Sequence, residues 1–236
     1  YELGRGKVLK VVIQFAKIVG ILLLSSCMVV NTKSKSKLVN EDLSGFTANT
    51  NMSISSSKFS GPVVVNSNMM GNTSNFTSLT VNGQTELARS NITKSLMING
   101  KAKLDEVKVS GSTQLSGESV VTASDLQDIT FAARTLLIES SNVNNIHVGN
   151  VKNTTIRVSQ GSIVHGDIVF VHPEGKVLIE DGAKVKGHIY VNRNGNRDFL
   201  EVKMQKNLWD QYTKSIDLDT VSEKVNNNGK YTRYSK

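Results

Sequence analysis

The sequence predicts an all-β fold, a single-stranded parallel β-helix (β-solenoid) with coils of about 17 and then about 21 residues. Three observations predict it. Composition comes first: only two prolines, Pro62 and Pro173, interrupt a middle dominated by Asn, Ser, Thr, Val and Ile, which is strand-and-turn chemistry poor in helix-forming runs. Second, an apolar position recurs as Val65, Val81, Ile98 and Leu115, at steps of 16, 17 and 17, each followed by Asn or Ser. Third, two further apolar positions keep that period, one as Leu87, Leu104 and Val121, the other as Phe59, Phe76, Ile92 and Val109. One coil cannot bury its apolar face alone, whereas stacked coils bury a continuous core and pair every backbone edge with a neighbour. Asn-Gly is also a hairpin signal, but hairpins do not require the same side-chain type at a fixed long period.

The first block of the solenoid is expected over 59–123. Leu79-Thr80-Val81-Asn82-Gly83 matches Leu96-Met97-Ile98-Asn99-Gly100, with Leu79 and Val81 inward and Thr80 outward. The Asn-Gly pairs are expected to supply the positive φ values of a tight corner. Residues 124–135 break the pattern and predict an irregular insert. A second block over 136–196 keeps a longer period: Ile138, Val158 and Ile179 step by 20 and 21, as do Val148, Ile168 and Ile189. Gly161-Ser162-Ile163-Val164-His165-Gly166-Asp167-Ile168 parallels Gly182-Ala183-Lys184-Val185-Lys186-Gly187-His188-Ile189. After Arg193 the repeat stops. Residues 197–236 are expected to form a C-terminal cap, carried by Phe199, Leu200, Val202, Leu208, Trp209 and Tyr212, and a basic tail, because a solenoid end leaves unpaired strand edges. Residues 27–58, rich in Ser, Asn, Thr and Lys, predict a disordered, flexible tether.

Residues 1–26 have a different character. Arg5, Lys7, Lys10 and Lys17 form a basic region, and Ile18-Val19-Gly20-Ile21-Leu22-Leu23-Leu24 an apolar one. That run is too short for a membrane span of about 20 residues but long enough for the apolar segment of a signal peptide. Small Ser25 and Ser26 precede Cys27, the only cysteine. Leu24-Ser25-Ser26-Cys27 resembles the lipobox of bacterial lipoproteins. The resemblance implies cleavage before Cys27, a diacylglycerol on its sulfur and an amide-linked acyl chain such as palmitate on its new amino group. Two signals of this kind anchor a protein firmly. With Met28 rather than an acid after the cysteine, it also implies the outer membrane. An N-terminal amphipathic helix with a buried cysteine is the competing reading of the same residues.

The Gly-Ser-x-Val-x-Gly-Asp-Ile repeats and the Val-Asn-Gly coils resemble bactofilin-type, polymer-forming β-helical proteins of bacteria. That resemblance implies a scaffold that self-associates through its solenoid ends and needs no cofactor. Such proteins mostly lack a lipoprotein leader.

The net charge of +8 is scattered rather than clustered with aromatics, and nucleic acid is not expected as a partner. Lys33, Lys35 and Lys37, just after Cys27, suit anionic headgroups or cell-wall polymers. No metal is expected at His147, His165, His172 and His188, because His165 aligns with Lys186 rather than with His188. Catalysis by a polysaccharide-active β-helix would need clustered carboxylates. Asp125 and Asp128 are the nearest pair, with Asp167 and Asp181 at turns, and no catalytic residue is assigned. The sequence thus leads to a membrane-anchored structural or adhesive lipoprotein, lipidated at Cys27, which presents a rigid solenoid. The alternative is a cell-envelope β-helix that binds or processes cell-wall or surface polysaccharide.

Overall fold

A computed structural model describes residues 36–193 continuously, together with the strands Met28–Val30, Asn196–Phe199, Val202–Met204, Glu223–Val225 and Tyr231–Arg233. The leader over 1–26, Cys27, Lys33, Lys35 and the aromatic residues Trp209 and Tyr212 lie outside the described residues. The fold is an all-β parallel solenoid of about nine turns. Each turn contributes one strand to a 10-stranded sheet, such as Thr85–Ala88, and one long or two short strands to a 17-stranded sheet, such as Asn91–Ile98.

The apolar columns follow the predicted register. Val65, Val81, Ile98 and Leu115 stack in consecutive coils, as do Leu87, Leu104 and Val121. Phe59, Phe76, Ile92 and Val109 form a third buried column. Its first members stack ring on ring, with Phe59 and Phe76 centroids 5.1 Å apart at 10°. The step of 16 between Val65 and Val81 has a local cause. Ser60 and Gly61 separate Phe59 from Pro62, whereas Thr77 alone separates Phe76 from Ser78. Thr77 offsets the shortened bend by donating its hydroxyl to the Phe59 carbonyl at 3.0 Å.

A fourth column runs Leu79, Leu96, Thr113, Ile129 and Ile146. Thr113 is 1% exposed and its Oγ1 has no hydrogen-bond partner. A buried hydroxyl without a partner costs about 1–3 kcal/mol, and valine has nearly the same shape. Thr113→Val is therefore expected to raise stability by that amount, read as a higher urea midpoint with an unchanged slope. A lower midpoint would mean that the hydroxyl is satisfied.

The corners differ from expectation in an instructive way. Gly83, Gly100 and Gly117 do not have positive φ. They are small because the coils approach closely there: a Cβ on Gly100 would lie 2.4 Å from the Gly83 carbonyl oxygen, and one on Gly117 2.3 Å from that of Gly100. The left-handed conformation sits at another corner, on Asn40, Ser56, Thr73, Arg89, Glu106, Ala123, Ser140, Gln160 and Asp181. Most of these are not residues that favour it, and each costs about 1–2 kcal/mol. A bonding ladder holds the corner. The N–H of Ser56 donates to the Asn72 carbonyl, that of Thr73 to Ala88 and that of Arg89 to Asp105, at 2.9–3.0 Å.

Beside this corner runs a buried serine ladder. Ser57 N–H donates to Ser74 Oγ and Ser74 N–H to Ser90 Oγ, both at 3.2 Å. Further along, the N–H of Val107, Ser124 and Ser141 donate to the Oγ of Ser124, Ser141 and Ser162 at 2.9–3.1 Å. Each hydroxyl also donates to a nearby backbone carbonyl, as Ser57 does to Ser55 and Ser124 to Thr122. The ladder is interrupted where Val107 offers no oxygen to the Ser90 N–H.

Two expected irregular segments are regular. Residues 36–58 of the expected tether are solenoid: Ser36–Val39 pairs with Met52–Ser55, and Phe46–Ala48 with Lys58–Val65. Phe46, Ala48, Met52 and Ile54 are buried, so a few apolar residues among Ser, Asn and Thr suffice for a coil. Residues 124–135 likewise continue the coils, with Asp125–Leu126 and Ile129–Phe131 paired in register on both sides. The longer period enters through the corners. Three residues separate Ile129–Phe131 from Thr135–Glu139, whereas six separate Ile146–Val148 from Thr155–Ser159. Register also corrects one predicted column, since Ile168 stacks on Ile146 and Val148 on Phe170. At the far end the parallel order of the larger sheet stops, where Asn196–Phe199 pairs antiparallel with Ile189–Arg193. Val202–Met204 still adds in parallel to the smaller sheet.

Candidate functional site

Strand alternation turns one residue per coil outward on the smaller sheet. Met70, Glu86, Lys103, Val120 and Leu137 form such an outward column, in register from coil to coil. A shallow groove of about 720 Å³ runs along it, bordered by Asn68, Gln84, Lys101, Glu118 and Thr135. Met70 is 62% exposed, the most exposed of the large apolar side chains described. Charges bridge adjacent coils beside it. Lys103 Nζ lies 2.8 Å from Glu86 Oε1, and Lys101 Nζ 3.0 Å from Glu118 Oε2. The hydrogen bond and charge of Glu86 raise the Lys103 ammonium above its ordinary pKa. Exposed pairs of this kind contribute little to stability. Their effect is to fix charge in the middle of the column and along its border, between the apolar Met70 at one end and Val120 and Leu137 at the other. The sequence carried a signal for this column, because Glu86, Lys103, Val120 and Leu137 each precede a core residue. An outward position has no common chemistry, however, and so shows no repeat.

A second regular surface lies at the Asn-Gly corner. The side-chain amides of Asn66, Asn82 and Asn99 each donate to the Oδ1 of the asparagine one coil earlier, Asn49, Asn66 and Asn82, at 2.7 Å. This exposed ladder is the structural use of the asparagines that follow the repeated apolar position.

Asp125, Asp128, Asp167, His165, His172 and His188 have partners within the scaffold. Asp125 lies 3.9 Å from Lys108 Nζ. Asp128 Oδ1 accepts from the side-chain amides of Asn144 and Asn145 at 3.0 and 2.8 Å. Asn145 Oδ1 accepts the Asp167 N–H, and Asp167 Oδ1 the His188 N–H, which makes one continuous corner ladder. Asp181 is a left-handed corner residue. His165 Nδ1 lies 3.4 Å from Lys186 Nζ, as their alignment implied, and His172 Nδ1 accepts the Glu174 N–H. His147 stacks in register between Thr130 and Val169 on the exposed face of the larger sheet. Among the described residues, no group of three or more His, Cys, Asp or Glu is placed to hold a metal ion. No helix among them is long and apolar enough to cross a membrane.

The chain matches no protein-family model, no curated protein and no solved structure to which it was compared.

Proposed function

We propose that the protein is a lipid-anchored component of a bacterial cell envelope that presents a rigid solenoid for structure or adhesion. The observation that carries this reading is Leu24-Ser25-Ser26-Cys27, a lipobox-like sequence one residue ahead of the first solenoid strand. In this reading the leader is removed, Cys27 receives lipid and becomes the N-terminus, and Met28 directs the product to the outer membrane. The solenoid adds a long regular surface, with the aliphatic and charged groove on one face and the asparagine ladder at a corner. The engagement of Asp125 and Asp128 by Lys108, Asn144 and Asn145 favours this reading over a polysaccharide-processing one.

Mass spectrometry of the mature N-terminal peptide tests the anchor. The expected result is a peptide beginning at Cys27 with the added mass of a diacylglycerol and an acyl chain, and Cys27→Ser released from the membrane fraction. An unmodified Cys27 in a membrane-bound protein would sink the proposal. Self-association through the solenoid ends belongs to the same reading. Electron microscopy of the delipidated protein is expected to show rods or end-to-end filaments. Compact round particles would count against both.

A further inference from the structure

We infer that the outward face of the smaller sheet docks a second copy of this chain, with the two rods side by side and running in opposite directions. The column Ser53, Met70, Glu86, Lys103, Val120 and Leu137 points outward and is in register from coil to coil. From Met70 to Val120 its order is apolar, acid, base, apolar. A two-fold axis lying along the strands, midway between Glu86 and Lys103, turns that order onto itself and sets acid against base. In an isologous contact of this kind residue i meets j and j meets i. Glu86 then faces Lys103 of the second copy, Met70 faces Val120, and Ser53 faces Leu137.

The neighbouring columns are compatible with this axis. On one side Ala88 meets Asp105 and Asn72 meets Thr122. On the other Gln84 meets Lys101 and Asn68 meets Glu118. At the margin Lys37 meets Arg157, whose charge Glu180 balances. Other axes fail. One through Glu86 or through Lys103 sets that residue against its own copy. One moved by a coil step sets Met70 on Glu86, or Lys103 on Val120. Rods running in the same direction, about an axis along the rod, set Glu86 on Glu86 and Lys103 on Lys103. Like charges and unpaired charges select against these arrangements. In the favoured one the bridge within each chain, with Lys103 Nζ 2.8 Å from Glu86 Oε1, is kept. Each ammonium gains a second carboxylate from the other copy.

Size sets the strength of the contact. Met70 to Val120 covers three coil steps, about 14 Å at the spacing of paired strands. The four-residue strand Thr85–Ala88 is about 13 Å long. Such a patch is smaller than the ~800 Å² per partner of a standard interface, so the pair is weak and reversible. It does not depend on a lipid at Cys27, and it uses the side of the rod rather than its ends.

Sedimentation velocity of the full chain in mild detergent tests the pairing. The expected result is a monomer–dimer equilibrium that shifts with concentration and weakens with salt. Lys103→Glu is expected to raise the dissociation constant about tenfold or more, because the two-fold axis repeats each like-charge contact. Adding Glu86→Lys to it is expected to restore the dimer. Both side chains are exposed and their pair contributes little to stability, so these variants fold. A short thiol crosslinker reads the direction, with the linked peptides identified by mass spectrometry. Mixed Met70→Cys and Val120→Cys chains are expected to link position 70 to position 120. Met70→Cys alone is expected to give no link between its two copies, which stand about 14 Å apart along the rods. A chain that stays monomeric up to ~1 mM would overturn the docking surface. A dimer that Lys103→Glu leaves unchanged, or a link from position 70 to position 70, would overturn the antiparallel arrangement.

Discussion

Phe59→Ala is expected to destabilise the solenoid by about 3–5 kcal/mol, the range for removing a buried aromatic side chain. Phe59 is 2% exposed and lies between two other rings. Its centroid is 5.6 Å from that of Phe46 at 55° and 5.1 Å from that of Phe76 at 10°. Aromatic pairs of this geometry contribute about 0.5–1.5 kcal/mol beyond their buried area, and the substitution breaks both. Beyond Phe76 the column continues with the smaller Ile92 and Val109, so no further ring can move in to fill the space. In a solenoid each coil is stabilised mainly by its two neighbours, so the damage is local. Coils N-terminal to Phe59 are expected to lose amide protection first, and urea unfolding should show an early phase absent from the parent protein. A single transition with an unshifted midpoint would show that the aromatic stack contributes little.

Gly111→Ala is expected to cost more than about 3 kcal/mol, for a different reason: overpacking that only the backbone can relieve. Gly111 occupies the bend between Lys108–Val109 and Ser112–Leu115. A Cβ there would stand 1.6 Å from the Lys94 carbonyl oxygen of the preceding coil. No rotamer avoids a backbone atom, so adjacent coils would have to separate and lengthen their ladder bonds. Gly182→Ala is the control. It has φ +75° and nothing within 4 Å of the added Cβ, so its cost is only the left-handed strain of about 1–2 kcal/mol. The two variants compared by thermal unfolding separate close coil approach from backbone conformation. Equal losses would remove that distinction.

The inward columns were legible because a core position accepts only a few side chains, and a repeated requirement leaves a repeated letter. Val65, Val81, Ile98 and Leu115 are that requirement written four times. The coil over 36–58 was hidden because its core residues, Phe46, Ala48, Met52 and Ile54, are spread among residues that also compose linkers. The coil over 124–135 is masked in the sequence for a similar reason. Leu126, Ile129 and Phe131 keep the register, but Asp125, Gln127 and Asp128 surround them. The left-handed corner was illegible by residue type. Ladder bonds from the neighbouring coil enforce it, and Arg89, Glu106 and Ala123 therefore adopt a conformation that their side chains disfavour. The groove escaped for the opposite reason to the core: Met70, Glu86, Lys103 and Val120 share a direction but no chemistry.

The missing rung at Val107 has a mechanical consequence. Backbone bonds between coils point along the rod, so a pull on its two ends loads them in tension, and they open one junction at a time instead of sharing the force in shear. Junctions bridged by serine, such as Ser57 to Ser74 or Ser124 to Ser141, carry an extra buried link. The junction between the coils of Ser90 and Val107 lacks it. By this ladder the rod is weaker there, and at the junction of Ser162 with Ala183, whose side chain carries no oxygen, than where a serine bridges the coils. Parting at the seam between Ser90 and Val107 would leave the coils from Met28–Val30 to that of Ser90 on the N-terminal side of the break.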